Sequence, residues 1–420
     1  MVVLLCVAVL GAGPAQPPVA QAQEPVSVTV DGLPVTFDVP PTVKSGRTLV
    51  PFRAIAEALN VRVDWDAGTK TISATDGKTA IRLQIGNKTV YRNEEPIGLD
   101  VPPQVVGGRV LVPLRFFGEA FACNVTWDEA ARRVEITSPA KEMTVIGFYA
   151  LGDSRTSSWT NLFGRPYPET SAGNTDAVGE LAPGWYSLDG QGNLLTRSRT
   201  GWQRPEGWEK VLEADRQYEL RTEMVVHVTD QDGTLSSLLA DPAARSRAAT
   251  AIAQEARLYQ GVNLDFEGLG YRDRNEQLEA VRGRFTEFVR LLAGELEPLG
   301  LTLTLTLHAP NSAYQGYDYR ALGELADRII VMAYDYGAVP EPVGRVRQAV
   351  ETARAAVAPE KLVLGISVPN ETPQSLVTKV GIAKRYGLAG IALWRLGLVS
   401  QEMWSALRGT AVPRRGEAKS

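Results

Sequence analysis

Asn263, Asp265 and Glu267 are the residues of this chain whose types and spacing point most directly to chemistry. They fall in Gly261-Val262-Asn263-Leu264-Asp265-Phe266-Glu267, which reads as one buried strand. At a period of two, Val262, Leu264 and Phe266 face one way, and the amide and both carboxylates face the other. An unpaired buried charge costs roughly several kcal/mol. Such a row therefore needs either ion-pair partners or a polar site in which the carboxylates have a task. The strand alone leaves both readings open.

Residue counts narrow the other chemistries. The chain has two histidines, His227 and His308, and two cysteines, Cys6 and Cys123. That is too few for the usual multi-histidine or multi-cysteine metal sites, so no metal or cofactor is expected, although a carboxylate-only metal site stays open. The net charge is −4 and no run of Lys or Arg occurs, so nucleic acid is not an expected partner. With 420 residues, 44% of them hydrophobic, the chain can form two or three domains with real cores.

The elements that must hold the polar row follow from residues 143–410. Strand signals recur at 144–149, 184–188, 224–228, 261–267, 301–307, 328–334, 361–368 and 390–394. Helices alternate with the later ones. Asp241 caps a helix that has Pro242 at its first position, and Thr372 with Pro373 opens another. The segment from 277 to about 296 carries Phe285, Phe288, Val289 and Leu292 at helical spacing. Eight such units predict an α/β fold, a (β/α)8 TIM barrel. Residues 151–183 are rich in Ser, Thr, Gly and Pro, and are expected to form a long loop over its mouth.

Active sites of such barrels lie at the carboxyl ends of the strands. Glu267, His308, Tyr334-Asp335 and Trp394 all fall there. Chance seldom gathers so many polar and aromatic groups on one rim, and this convergence favours a site over a structural ion pair. His308 reads equally well as a satisfied rim histidine. Trp159, Trp185, Trp202, Trp208, Tyr314, Tyr317 and Tyr336 are of a type that stacks on sugars, and about half are expected to be packing.

These residues resemble glycoside hydrolase family 18, whose mark is an Asp-x-x-Asp-x-Asp-x-Glu run on the fourth barrel strand. Gln260-Gly261-Val262-Asn263-Leu264-Asp265-Phe266-Glu267 keeps the last acidic pair. Gly147-Phe148-Tyr149, Met332-Ala333-Tyr334-Asp335 and Trp394 match further family motifs. The phrase from Leu181 to Gly190 resembles the spore-type and cell-wall branch, which includes cortex-lytic N-acetylglucosaminidases. The resemblance implies a retaining hydrolysis in which the sugar's own 2-acetamido oxygen is the nucleophile. It implies Glu267 as acid/base, Asp265 as partner of the acetamido N–H, and Tyr334 as donor to the acetamido oxygen. Asn263, Asp335, Trp394 and Tyr149 would contact substrate, Trp394 flooring the sugar. The charge of Asp265 is expected to raise the pKa of Glu267. Gln260 and Asn263 depart from the fullest motif, and Asn263 cannot exchange a proton with Asp265.

Residues 26–138 are an internal duplication. Arg47-Thr48-Leu49-Val50-Pro51-Phe52-Arg53 returns as Arg109-Val110-Leu111-Val112-Pro113-Leu114-Arg115, and the register holds through Trp65-Asp66 and Trp127-Asp128. Each unit reads as strand, helix and hairpin, a small α+β domain. The pattern resembles the copper amine oxidase N-terminal-like domain, a front module of exported bacterial proteins. No histidine lies in the segment, so no copper is implied. Its expected role is a spacer or a cell-wall contact, with Arg53, Arg115, Trp65 and Trp127 structural. Residues 1–25 carry an apolar run and Ala20-Gln21-Ala22, read as a signal peptide and hence as export.

The expected protein is therefore secreted or associated with cell wall or spore. Its expected substrate is β-linked N-acetylglucosamine in peptidoglycan or cortex. The alternatives are a chitinase or chitooligosaccharidase, and a glycan-binding protein without turnover.

Overall fold

The computed structural model describes residues 26–44, 46–152, 155–198 and 200–415. The expected signal peptide lies outside them. No helix among the described residues is long and apolar enough to cross a membrane.

Eight parallel strands close into a barrel: Lys141–Tyr149, Glu180–Pro183, Arg221–Thr229, Gly261–Glu267, Thr302–His308, Arg328–Met332, Leu362–Ser367 and Gly390–Trp394. The last pairs with the first from Thr144↔Gly390 to Gly147↔Leu393, which completes the ring. A short strand, Ala411–Pro413, adds to the start of the first. The helices between strands stop and start as their caps dictate. Asp241 accepts the N–H of Ala243 ahead of helix Pro242–Glu255, and Thr372 forms a reciprocal capping box with Ser375 ahead of Pro373–Arg385. Helix Asn275–Leu296 buries Phe285, Phe288, Val289 and Leu292 against the barrel.

Two expectations change. The second strand is Glu180–Pro183, not 184–188, and Ser187–Leu188 instead forms a small hairpin with Leu194–Leu195. The cause is electrostatic and long-range. Glu180 makes two 2.7 Å bonds to the guanidinium of Arg328, which also meets the fully buried Glu223. An apolar run reads well as a strand, but this ion-pair layer at the base of the barrel sets the register. The segment 151–183, expected as a loop over the mouth, contains helix Ser158–Phe163, whose Trp159, Leu162 and Phe163 are buried in the outer core.

In the front domain, the repeated segments Arg47–Pro51 and Arg109–Pro113 pair antiparallel around Val50↔Val112. Their helices, Phe52–Ala58 and Arg115–Phe121, meet through Phe52 and Phe117, with ring centres 5.7 Å apart. Cys123 lies in this core, and burial pushes its thiol up to about 12. The domain touches the barrel at the end of helix Pro373–Arg385. Arg385 donates to the carbonyls of Val30, Leu33 and Pro34, and Lys384 donates to Ser138 and to the Pro139 carbonyl. A Cβ at Gly381 would stand 2.6 Å from the Asp31 carbonyl oxygen, so this approach requires glycine.

Candidate active site

The fourth strand has the two faces its sequence predicts. Val262, Leu264 and Phe266 pack outward into the layer between barrel and helices, where Phe266 stacks on Phe288 at 5.4 Å. Asn263, Asp265 and Glu267 take the opposite face. Asn263 is fully buried and Asp265 is 2% exposed, whereas Glu267, at the strand's carboxyl end, reaches the solvent cavity.

That cavity, about 720 Å³, is walled by Asp265, Glu267, Tyr334, Asp335 and Trp394, among others. A second cavity of about 640 Å³ continues on the other side of Glu267, towards Asp230 and Tyr271. Both share Glu267, His308 and Tyr314. The carboxylate of Glu267 thus stands on the divide between the two cavities.

Electrostatics around Glu267 differ from the expectation. His227, from the third strand and in register with Asp265, places Nε2 3.3 Å from Glu267 Oε1. His308 Nε2 lies 3.9 Å from the other oxygen. Burial alone would raise Glu267, but the His227 hydrogen bond and the charges of His227 and His308 prevail and hold its carboxyl below the usual range. Asp265 goes the other way. Full burial, then the charge of Glu267, pushes it up to about 8 against a smaller opposing effect of His227. Burial would depress His227, yet its bond to Glu267 and the nearby Asp265 raise it. His227 and Asp265 are thus shifted towards holding a proton and Glu267 towards giving one up, the opposite of the rise in Glu267 that the sequence suggested. His308 is itself lowered by burial, so its charge counts for less than that of His227.

Tyr334 is half-buried in the cavity wall with its phenol well above the usual range, through desolvation and the charges of Asp265 and Glu267. It remains a donor at any working pH. Asp335 follows with φ +62°, a left-handed conformation that aspartate tolerates better than most residues other than glycine. Glu341 anchors it. Its carboxylate accepts the backbone N–H of Asp335 at 2.8 Å and of Tyr336 at 3.1 Å, and also the Asn370 amide at 2.8 Å. Trp394 ends the eighth strand between Phe148 and Trp202, each 5.2 Å away, and presents the rest of its ring to the cavity.

Two expected contacts are not at the cavity. Tyr149 is fully buried on the outer face of the first strand, against Trp185. Phe148 is the neighbour that turns inward, and alternation forbids both. Asn263 lies one step below Asp265 and accepts a 2.7 Å bond from Thr306, so it supports the site from beneath. Trp202, Tyr314 and Tyr336 line the mouth, while Trp159, Trp185, Trp208 and Tyr317 are packed in the outer core. His227 and Glu341 were not foreseen. His227 had a signal: in the third strand it has the same parity as Glu223 and Val225, which face the barrel interior. Glu341 had none, because its partners come from a turn and a distant segment.

Residues 202–370 match the family described as Glycosyl hydrolases family 18, and residues 29–136 match the Copper amine oxidase N-terminal domain. Part of the chain is 32% identical over 120 residues to the putative sporulation-specific glycosylase YdhD of Bacillus subtilis, spanning 26% of this chain and 27% of that protein. It is 24% identical over 197 residues to the cortical fragment-lytic enzyme of Bacillus anthracis, spanning 39% of this chain and 44% of that protein. The matched stretch is thus under half the length of these relatives. Among solved structures, the spore cortex-lytic enzyme SleL of Bacillus cereus aligns with 66% of this chain and 77% of its own, with a TM-score of 0.52 at 17% identity. The C-terminal domain of a putative chitinase from Desulfitobacterium hafniense aligns with 64% of this chain and 99% of its own, with a TM-score of 0.54 at 19% identity. At such identity these two establish the TIM-barrel fold. The chain thus joins a segment similar to the copper amine oxidase N-terminal domain to a TIM barrel of which residues 202–370 are similar to glycosyl hydrolases family 18.

Proposed function

We propose that this protein is an exported glycoside hydrolase that cleaves β-linked N-acetylglucosamine in peptidoglycan or spore cortex, with net retention. The observation that carries the reading is the convergence of Asp265, Glu267, Tyr334 and Trp394 on one cavity at the carboxyl ends of the strands. The names of the relatives, a sporulation-specific glycosylase and cortical fragment-lytic enzymes, support cortex as the substrate.

In this reading the sugar stacks on Trp394 with its 2-acetamido group turned down towards Asp265 and Tyr334. Asp265 holds the acetamido N–H, and Tyr334 donates to the carbonyl oxygen. That oxygen attacks the anomeric carbon as the glycosidic C–O bond breaks, and Glu267 passes a proton to the departing oxygen. The positive charge developing on the ring is stabilised by the Asp265 carboxyl oxygen that accepts the acetamido N–H. Water then forms the new bond to the anomeric carbon, the acyl oxygen leaves, and Glu267 takes the proton back. Asp335 contacts the sugar from the side that Glu341 fixes. The front domain is proposed to hold the enzyme on the wall.

Digestion of purified peptidoglycan, cortex and chitin side by side, with mass analysis of the products, tests this. N-acetylglucosamine at the new reducing ends of peptidoglycan or cortex fragments is expected. Turnover of chitin alone would move the assignment to a chitinase, and binding without products would make the protein a glycan-binding module.

A further inference from the structure

We propose that His227 is the proton partner of Glu267, so that the acid/base of this chain is a histidine–glutamate pair. The inference rests on the hydrolase reading above and goes beyond it in naming where the proton is kept.

Three observations carry it. First, the inner position of the motif is Asn263, whose Oδ1 is engaged by Thr306. An amide cannot take or give a proton there, so no titratable group lies below Asp265 on that strand. Second, a titratable group stands above, on the neighbouring strand. His227 is in register with Asp265 and its Nε2 lies 3.3 Å from Glu267 Oε1, with its side chain only 10% exposed. Third, the other ring nitrogen, Nδ1, is buried and has no hydrogen-bond partner among the described residues, so no partner on that side fixes where the ring carries its proton. A buried imidazole whose Nε2 stands beside the catalytic carboxylate is placed to exchange a proton with it.

The charged and titratable groups facing this pair are Asp265 on the same strand as Glu267, His308 on the fifth strand, Tyr317 after it, and Tyr334 and Asp335 after the sixth. Their balance shifts the proton towards the imidazole and away from Glu267. When the leaving oxygen gains basicity, Nε2–H transfers its proton to Glu267 Oε1 and the acid transfers it on to that oxygen. The imidazole is left neutral. In the second half, the proton of the attacking water returns through Glu267 to Nε2, restoring both groups. His227 never touches the sugar; it is a positioning residue that acts through Glu267.

The test uses His227→Gln on the full chain, with two substrates. Proton delivery matters most for a poor leaving group. The variant is expected to lose about 100-fold in kcat/KM on glycan fragments. It should lose no more than about threefold on a nitrophenyl glycoside of N-acetylglucosamine oligomers, whose leaving group needs little protonation. The basic limb of the glycan pH profile should move down by about one unit, since a lone carboxylic acid replaces the pair. Equal losses on both substrates with an unmoved limb would overturn the proposal, because that is what a merely structural histidine gives. A second measurement needs neither turnover nor a folded His227 variant. The chain has only two histidines, so 15N-imidazole labelling of the untagged protein resolves both titrations. One should titrate above the ordinary histidine range and fall back in Glu267→Gln. If both titrate at or below that range and Glu267→Gln moves neither, the pair does not exist. Absence of turnover by the wild type would remove the hydrolase reading while leaving this titration intact.

Discussion

Glu341 holds Asp335 by its backbone: the carboxylate accepts the Asp335 N–H at 2.8 Å while the Asp335 side chain faces the cavity. Lys379, itself paired with the buried Glu371, donates to the Glu341 carbonyl at 2.8 Å and locks the arrangement from behind. The left-handed turn at Asp335 is thus a product of residues that do not reach the cavity. Glu341→Ala should release it. The expected result is a KM raised about tenfold or more with a smaller change in kcat, and a stability loss of about 2–3 kcal/mol for the lost charge-assisted bonds. Steady-state kinetics and denaturant unfolding check both; an unchanged KM would mean that Asp335 needs no such support.

Glu267→Gln should lower kcat by about 10²–10⁴ while glycan binding persists, because the amide keeps the shape and loses the proton. Parallel measurement of turnover and of binding to cortex fragments separates the two. Near-normal turnover would take the acid role away from Glu267.

Asp265→Asn should also abolish most turnover, yet it should stabilise the fold at alkaline pH. The sign follows from linkage. The pKa of Asp265 rises from 3.8 to about 8 on folding, so between those values the native state binds a proton that the unfolded chain does not. Wild-type stability therefore falls as pH rises through that window. Asparagine has no such dependence. The variant should melt above the wild type at pH 8 and match it more closely at pH 4; the reverse order would show that Asp265 is not buried as a neutral acid.

Arg328→Met should be strongly destabilising, by about 3–5 kcal/mol, because it leaves Glu180 and Glu223 buried without their cation. Replacing all three by apolar residues of similar volume should recover much of the loss. Thermal unfolding of the single and triple variants decides this, and equal stability of the two would contradict the pairing.

Chelation should leave hydrolysis unchanged, since no step above uses a metal. His227, Asp265 and Glu267 do bring three ligand atoms within 4.8 Å of one another. Added zinc should therefore inhibit by occupying the acid/base array, more weakly in a His227 variant. Loss of activity in chelator, restored by one divalent ion, would require a different mechanism.

What the sequence made legible was whatever follows a local rule. Alternation on the fourth strand placed Asp265 and Glu267 on the inner face, and the caps at Asp241 and Thr372 started two helices where they were expected. The same rule puts Phe148 and Tyr149 on opposite faces, but both faces of this strand are buried and apolar, so only the closed barrel shows that the phenylalanine is the inward one. The second strand was misplaced because its register is set by Glu180 meeting Arg328, nearly 150 positions away. The direction in which Glu267 is shifted was misjudged for a related reason. It depends on His227, whose approach only barrel closure creates.

The grip of Arg385 and Lys384 on the front domain has a mechanical consequence. The front domain is attached both through the connecting chain after Ser138 and through this one turn, where Lys384 meets that chain as well. Attachment at two points leaves little freedom to swivel. Whatever surface the front domain rests on would then dictate the direction in which the groove opens, and the enzyme would work as a tool on a fixed handle rather than on a tether.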